Sequence, residues 1–311
     1  LQNNSKKIII IGMPDMMNVC LAKLVEAGFN IVGFIPPPQD NPTFNSAVAH
    51  AGSLKVPIYP YEESPNEPEF VEKIASLEAD IGIITSFDKK LSREFLATTR
   101  EGYINCHPSL LPKYRGANPY FHIIARGETK TGVTLHFADE NFDTGDVIMQ
   151  KEILIEKNET TGTLFNRSNY VIADCLIETL QHYEATGKFI RVKQPQGQFI
   201  RAPRIPSNLV LNLAQDIEEI ERIIRASNPF YNATLFFRGI MLRIISAQIR
   251  KETHGHLYGQ IIKTGGNIEI AMNGGFLTPK IVQVGTWGVF DTKEFVEKFN
   301  PQSGERLMGG G

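Results

Sequence analysis

From Lys7 to Asn105 the chain alternates short β-branched runs with stretches whose apolar residues recur at helical spacing. KIIII (7–11), NIVGFI (30–35), DIGIIT (80–85) and GYIN (102–105) read as strands with both faces buried. Between them, MMNVCLAKLVEAG (16–28) reads as a helix ended by Gly28, and TFNSAVAHAGSL (43–54) as one capped by Thr43. EFVEKIASLEA (69–79) and SREFLATT (92–99, capped by Ser92) are two more, and VPIY (56–59) reads as an extra short strand. A strand followed by a crossover helix and another strand can return only as a parallel neighbour, with helices covering the faces. The expected class is therefore α/β: a Rossmann-like, mostly parallel twisted sheet with helices on both faces. A nicotinamide enzyme would share that sheet, but IIIIGMPDMMNV (8–19) has one Gly where the dinucleotide fingerprint has three.

The pattern changes after a helix over 119–126. TGVTLHFA and DVIMQKEILI alternate apolar and polar residues around a turn, which predicts an antiparallel pair at the sheet edge, and 161–186 reads as a long amphipathic helix. The Pro/Gly-rich stretch 191–207 reads as a linker. Beyond it come a helix over 216–226 and short strands with turn signals, the pattern of a small, mostly β, OB-like domain. The expected division is a catalytic domain over 1–190, a linker over 191–207 and the OB-like domain over 208–311. A chain of 311 residues accommodates two domains. A net charge of -2 carries no global footprint for nucleic acid or anionic membrane. Cys20, Cys106 and Cys175 are odd in number and lack metal-ligand spacing. That predicts a reduced, cytoplasmic protein with no disulfide framework and no metal. The longest early apolar run, 8–11, is too short for a membrane span.

Ligands of open α/β sheets bind at the carboxyl ends of the strands. YINCHPSLLPKYRG (103–116) leaves such an end. Strand alternation places Asn105 and His107 on one face, with Ile104 and Cys106 on the other. An amide donor beside an imidazole suits a developing oxyanion, and a His in that role needs a carboxylate to fix its tautomer. ADENFDTGDVI (138–148) offers Asp143 in a tight Asp-Thr-Gly turn. Singly, each feature is more often turn or cap chemistry than a site.

Together, NCHPSLLPKYRG and TGVTLHFADENFDTGDVI closely resemble the folate-dependent formyltransferase family, with a plausible match over 7–190; EIERIIRASNPFYNATLFFRG resembles the second domain of its tRNA and amino-sugar branches. The resemblance implies that Asn105, His107 and Asp143 are catalytic and that 10-formyltetrahydrofolate is the co-substrate. It further implies a cofactor pocket of largely backbone groups at Ser86, Phe87, Asp88 and Leu91 and at Phe137, Ala138, Asp139 and Glu140. His136 would line that pocket, and its alternative is a satisfied strand histidine. Ser109, Tyr114, Arg115 and Gly116 would lie beside the acceptor.

The acceptor is open between a small, nucleotide-linked amine such as an amino sugar and methionyl-tRNA, with a hydrolase or a non-catalytic folate-binding module as the third reading. Asn105 counts against the hydrolase, since that branch has a hydrophobic residue there. The tRNA branch carries a basic insertion after its second strand, whereas here no Lys or Arg falls between Lys23 and Lys55. From Pro206 onward 11 Lys and Arg face 10 Asp and Glu, a net of +1. A small amine is therefore the favoured acceptor, tRNA is disfavoured, and Arg115 is the candidate for binding a phosphate.

Overall fold

The structure, a computed structural model, describes residues 6–195, 197, 199–264 and 266–310. The first unit runs β1 (Lys7–Gly12), α1 (Met16–Glu26), β2 (Asn30–Ile35), α2 (Phe44–Ser53), α3 (Pro68–Ala75), β3 (Ile81–Thr85), α4 (Arg93–Leu96) and β4 (Tyr103–His107). Along the chain follow α5 (Pro119–Ala125), β5 (Lys130–Phe137), β6 (Val147–Leu154) and α6 (Thr161–Thr186), of which α5 from Tyr120 and the first turn of α6 group with the second unit. The six strands form one sheet in the order β2-β1-β3-β4-β5-β6. The first four are parallel, while β5 and β6 are antiparallel to their neighbours, so the edge hairpin forms as its alternation requires. Ile8 to Ile11 are essentially inaccessible, which explains why β1 is four isoleucines without a polar break.

Two local expectations fail. VPIY makes a single bridge, Phe34 with Ile58, rather than a strand. Pro57 within the segment and Pro60 just after it have no N–H to extend a ladder. Thr43 precedes α2 but makes no cap, because its hydroxyl donates to Asn41 Oδ1 at 2.7 Å. Ser92 caps α4 as expected, accepting from the Phe95 amide at 3.1 Å.

The stretch 191–207, expected as a linker, does not run free. Val192 exchanges both backbone hydrogen bonds with Val147, and Ala202 donates to Arg115 O at 2.8 Å and accepts from the Asn118 amide at 3.1 Å. Its weak side-chain pattern hides this, because main-chain groups carry the attachment. The first unit accordingly includes 165–202, while 120–129 and 155–164 belong to the second with 203–311.

The second unit carries β7 (Asn208–Val210), α7 (Ile217–Ser227), β8 (Asn232–Phe237), β9 (Ile240–Lys251), β10 (Ile261–Thr264), β11 (Asn267–Met272), β12 (Gly275–Val284), β13 (Gly288–Asp291) and α8 (Thr292–Phe299). Its sheet order is β10-β11-β12-β9-β8-β7, with β13 beside β12. All pairings are antiparallel except β7 with β8. The core gathers Leu235, Leu242, Ile270 and Leu277 from the strands, Ile220 and Ile224 from α7, and Phe295 from α8. The helix α8 was not expected, although its start is marked in the sequence. Asp291 and Glu294 form a reciprocal capping box there.

Candidate active site

Strand alternation delivers Asn105 and His107 to the same face of β4, and β5 pairs back so that Asn105 lies opposite His136 and His107 opposite Thr134. The turn after β5 folds against this face. Asp143 Oδ1 lies 3.3 Å from both Asn105 Nδ2 and His107 Nδ1. Its Oδ2 accepts from the Gly116 amide at 2.9 Å. Asp143 has φ +58 and is 8 % exposed. Burial alone would raise its pKa, yet the adjacent His107 ring and the Gly116 N–H outweigh it and hold the carboxyl well below the usual range.

His107 Nε2 meets Tyr114 O at 2.9 Å. Both its ring nitrogens therefore face acceptors, an arrangement that a doubly protonated imidazolium satisfies. His136 differs. Its Nδ1 meets Phe137 O at 2.8 Å, and its Nε2 sits 3.0 Å from Asn105 Nδ2, where it must accept. Asn105 thus directs its amide group at His136 and Asp143 together. His136 is buried and hydrogen-bonded, and it adjoins the cluster. Cys106 faces away, and burial pushes its thiol well above the ordinary value.

Two glycines make this packing possible. A Cβ at Gly145 would lie 1.9 Å from Phe137 O, so only glycine lets the Asp143 turn close on β5. Gly116 has φ +124, and a Cβ there would meet Ala202 O at 2.6 Å.

The other expected residues divide by what holds them. Ser109 is inaccessible; its hydroxyl donates to Lys113 O at 2.6 Å, so it staples its own loop rather than reaching an acceptor. Tyr114 and Gly116 act through backbone, as the partners of His107 and Asp143. Arg115, expected to be free for a phosphate, donates to Gln194 Oε1 at 2.6 Å and lies 4.3 Å over the Phe199 ring. Leu91 belongs to the core with Ile9 and Phe95, and Phe87 and Ala138 pack against it. Ser86 has φ +50, and Asp88 is exposed. Phe137 is buried beneath the Arg191 guanidinium. Asp139 staples its turn by accepting from Thr144 Oγ1 and the Asn141 amide, and Glu140 is exposed at 3.9 Å from Arg93.

Three contributors were not foreseen. Thr134 donates to Ser109 O at 2.6 Å and accepts from the Leu111 amide, and Gln150 Nε2 reaches Leu111 O and Thr134 Oγ1, both at 2.9 Å. Gln194 Nε2 bridges Asp143 O at 3.0 Å and Gly145 O at 2.8 Å. Thr134 and Gln150 lie in the two alternating strands, whose pattern shows a face but not these partners, and no periodicity or motif marks Gln194. One signal was readable near Gln194: between Glu184 and Asp216 the chain has five basic residues and no acid. Among the described residues, no helix is long and apolar enough to cross a membrane, and no group of three or more His, Cys, Asp or Glu is placed to hold a metal ion.

The profile of the formyl transferase family matches residues 6–180, and that of the formyl transferase C-terminal domain matches 206–300. The chain belongs to the formyl transferase family. This formyltransferase is 32% identical over 264 residues to a methionyl-tRNA formyltransferase of Clostridioides difficile (strain 630), covering 82% of this chain and 84% of the relative. A methionyl-tRNA formyltransferase of Lachnospira eligens is 29% identical over 318 residues, covering 97% and 99%. Among solved structures, the N-formyltransferase from Helicobacter canadensis in complex with folinic acid and dTDP-3-aminofucose superposes with a TM-score of 0.68. It is 21% identical, with 88% of this chain and 98% of that chain covered, a likeness of fold. The protein is a formyl-transferring enzyme of α/β architecture with a second, mostly β, domain.

Proposed function

We propose that the protein transfers the formyl group of 10-formyltetrahydrofolate to a primary amine, with Asn105, His107 and Asp143 as its catalytic residues. The observation that carries this is the convergence of an amide, an imidazole with both nitrogens facing acceptors, and a carboxyl held in its charged form within 3.3 Å. The co-substrate supplies an activated formyl carbon and a leaving anilino nitrogen. The amine nitrogen bonds to that carbon as the bond to the anilino nitrogen breaks, and one proton passes from the amine to that nitrogen. Asn105 gives up its bond to His136 Nε2 and donates to the developing oxyanion. Once Nε2 leaves Tyr114 O, the His107 imidazolium supports the same charge, gives that proton to the anilino nitrogen and takes one back from the amine, while Asp143 holds the ring's orientation and charge.

A flat pterin suits the apolar wall of Phe87, Leu91 and Ala138. The Phe137 and Ala138 amides are already bonded to Asp146 O and Tyr103 O, so the pterin edge is read by 139–142 and by the 86–91 loop.

For the acceptor, the favoured reading is a small, nucleotide-linked amine, because no Lys or Arg occurs between Lys23 and Lys55 and the C-terminal stretch is nearly neutral. Methionyl-tRNA is the second reading, favoured by the relatives' names and by the acid-free basic stretch beside Gln194. Formyl transfer assayed against both acceptors across a salt series separates them. A tRNA acceptor gives a log–log affinity slope of about -0.7 to -0.9 per phosphate contacted, and a nucleotide sugar a shallow one. Efficient formylation of charged initiator tRNA with a steep slope overturns the small-acceptor reading.

A further inference from the structure

The loop 109–116 and the turn 143–145 together clamp His107 and Asp143, and they are far apart in sequence. The first supplies Tyr114 O to His107 and the Gly116 amide to Asp143; the second carries the carboxyl itself. Gln194 Nε2 spans the carbonyls of Asp143 and Gly145, on either side of Thr144, while its Oε1 accepts from the Arg115 guanidinium between Tyr114 and Gly116. The segment bearing it is anchored at both ends, by Val192 on Val147 and by Ala202 on Arg115. One anchor thus lies on the edge strand at Val147 and the other on the Arg115 loop itself.

We infer that Gln194 is a positioning residue for the reaction: its amide ties the left-handed Asp143 turn to the Arg115 loop and so sets the angle at which the carboxyl meets His107. The chemistry of the side chain fits this use. Two carbonyls require two N–H donors and the guanidinium requires an acceptor, a combination that an amide provides and a carboxylate, a thioether or an ammonium does not. The conformation being held is one that a non-glycine residue adopts at a cost, so it persists only where surrounding contacts enforce it. The inference rests on the catalytic role of Asp143 proposed above.

The test is a double-mutant cycle on the full chain, measuring single-turnover formyl transfer, Michaelis constants and folate binding by fluorescence. Gln194→Met keeps the length of the side chain and removes its hydrogen bonds; Gln194→Glu turns an oxygen toward two carbonyl oxygens. Each is expected to lower kcat on the order of 10- to 100-fold, the scale of a misplacement of about 1 Å, with folate affinity and acceptor KM unchanged. In an Asp143→Asn background the same changes are expected to have no further effect on kcat, since the group they position is gone. A full additional loss in that background, or a loss confined to KM, assigns Gln194 to folding or binding and overturns the inference. So does near-normal turnover of both Gln194 variants where Asp143→Asn is crippled. If Asp143→Asn is itself near normal, the catalytic assignment fails instead.

Discussion

Replacing Asp143 with Asn leaves the size of the side chain unchanged and removes its charge, so its effects can be worked from the contacts. Three donors converge on the two carboxyl oxygens: His107 Nδ1 and Asn105 Nδ2 on Oδ1, and the Gly116 amide on Oδ2. An asparagine there sets its own NH₂ against one of those ends. It also withdraws the negative charge 3.3 Å from the His107 ring, in a pair whose side chains are 5% and 9% exposed. At an effective dielectric of about 20, that charge pair is worth about 5 kcal/mol, an upper bound on lost support for the imidazolium. Allowing for relaxation, the expected fall in kcat is about 10²- to 10⁴-fold, the usual range for a general acid–base pair or oxyanion donor. Folate affinity is expected to change little. Single-turnover transfer with separate binding titrations checks both. Turnover within a few-fold of the parent, in a variant that unfolds cooperatively, refutes the reasoning. The pH dependence gives an independent check. The folded carboxyl is held below its ordinary value of 3.8, so its ionisation contributes stability that is complete above that value and is lost as pH falls below it. The stability difference between the parent and Asp143→Asn should therefore narrow as pH falls below that ordinary value.

Asn105→Ala should act through turnover with acceptor KM little changed, because its amide is assigned to a charge that develops only after attack; a loss seen mainly in KM makes it a substrate-binding group. Gly145→Ala must displace Phe137 O from its path, so a destabilisation of more than about 2 kcal/mol by denaturant titration is expected, and an unchanged midpoint contradicts the packing described here. Arg115→Ala should lower kcat through Gln194 more than it weakens acceptor binding, given where the guanidinium points; a loss of acceptor affinity alone would restore its reading as a phosphate ligand.

Local chemistry determined much of this protein from the sequence alone. Four isoleucines with no polar break can only be a strand buried on both faces, and helices of that length between strands can only return them in parallel. Period-two alternation put Asn105 beside His107, and the motifs around them pointed to the family. The Asp-x-x-Glu pattern at 291–294 likewise marks the start of α8. What only the tertiary structure decided is how those groups are held. The commitment of Arg115 to Gln194, the seclusion of Ser109 within its own loop and the bridging of Asp143 O and Gly145 O join segments up to 79 residues apart. Several of those bonds end on backbone carbonyls, which every residue carries and which leave no mark in a sequence. Side-chain periodicity reports which face is buried; it cannot report which main-chain oxygen lies 3 Å away once the chain has closed.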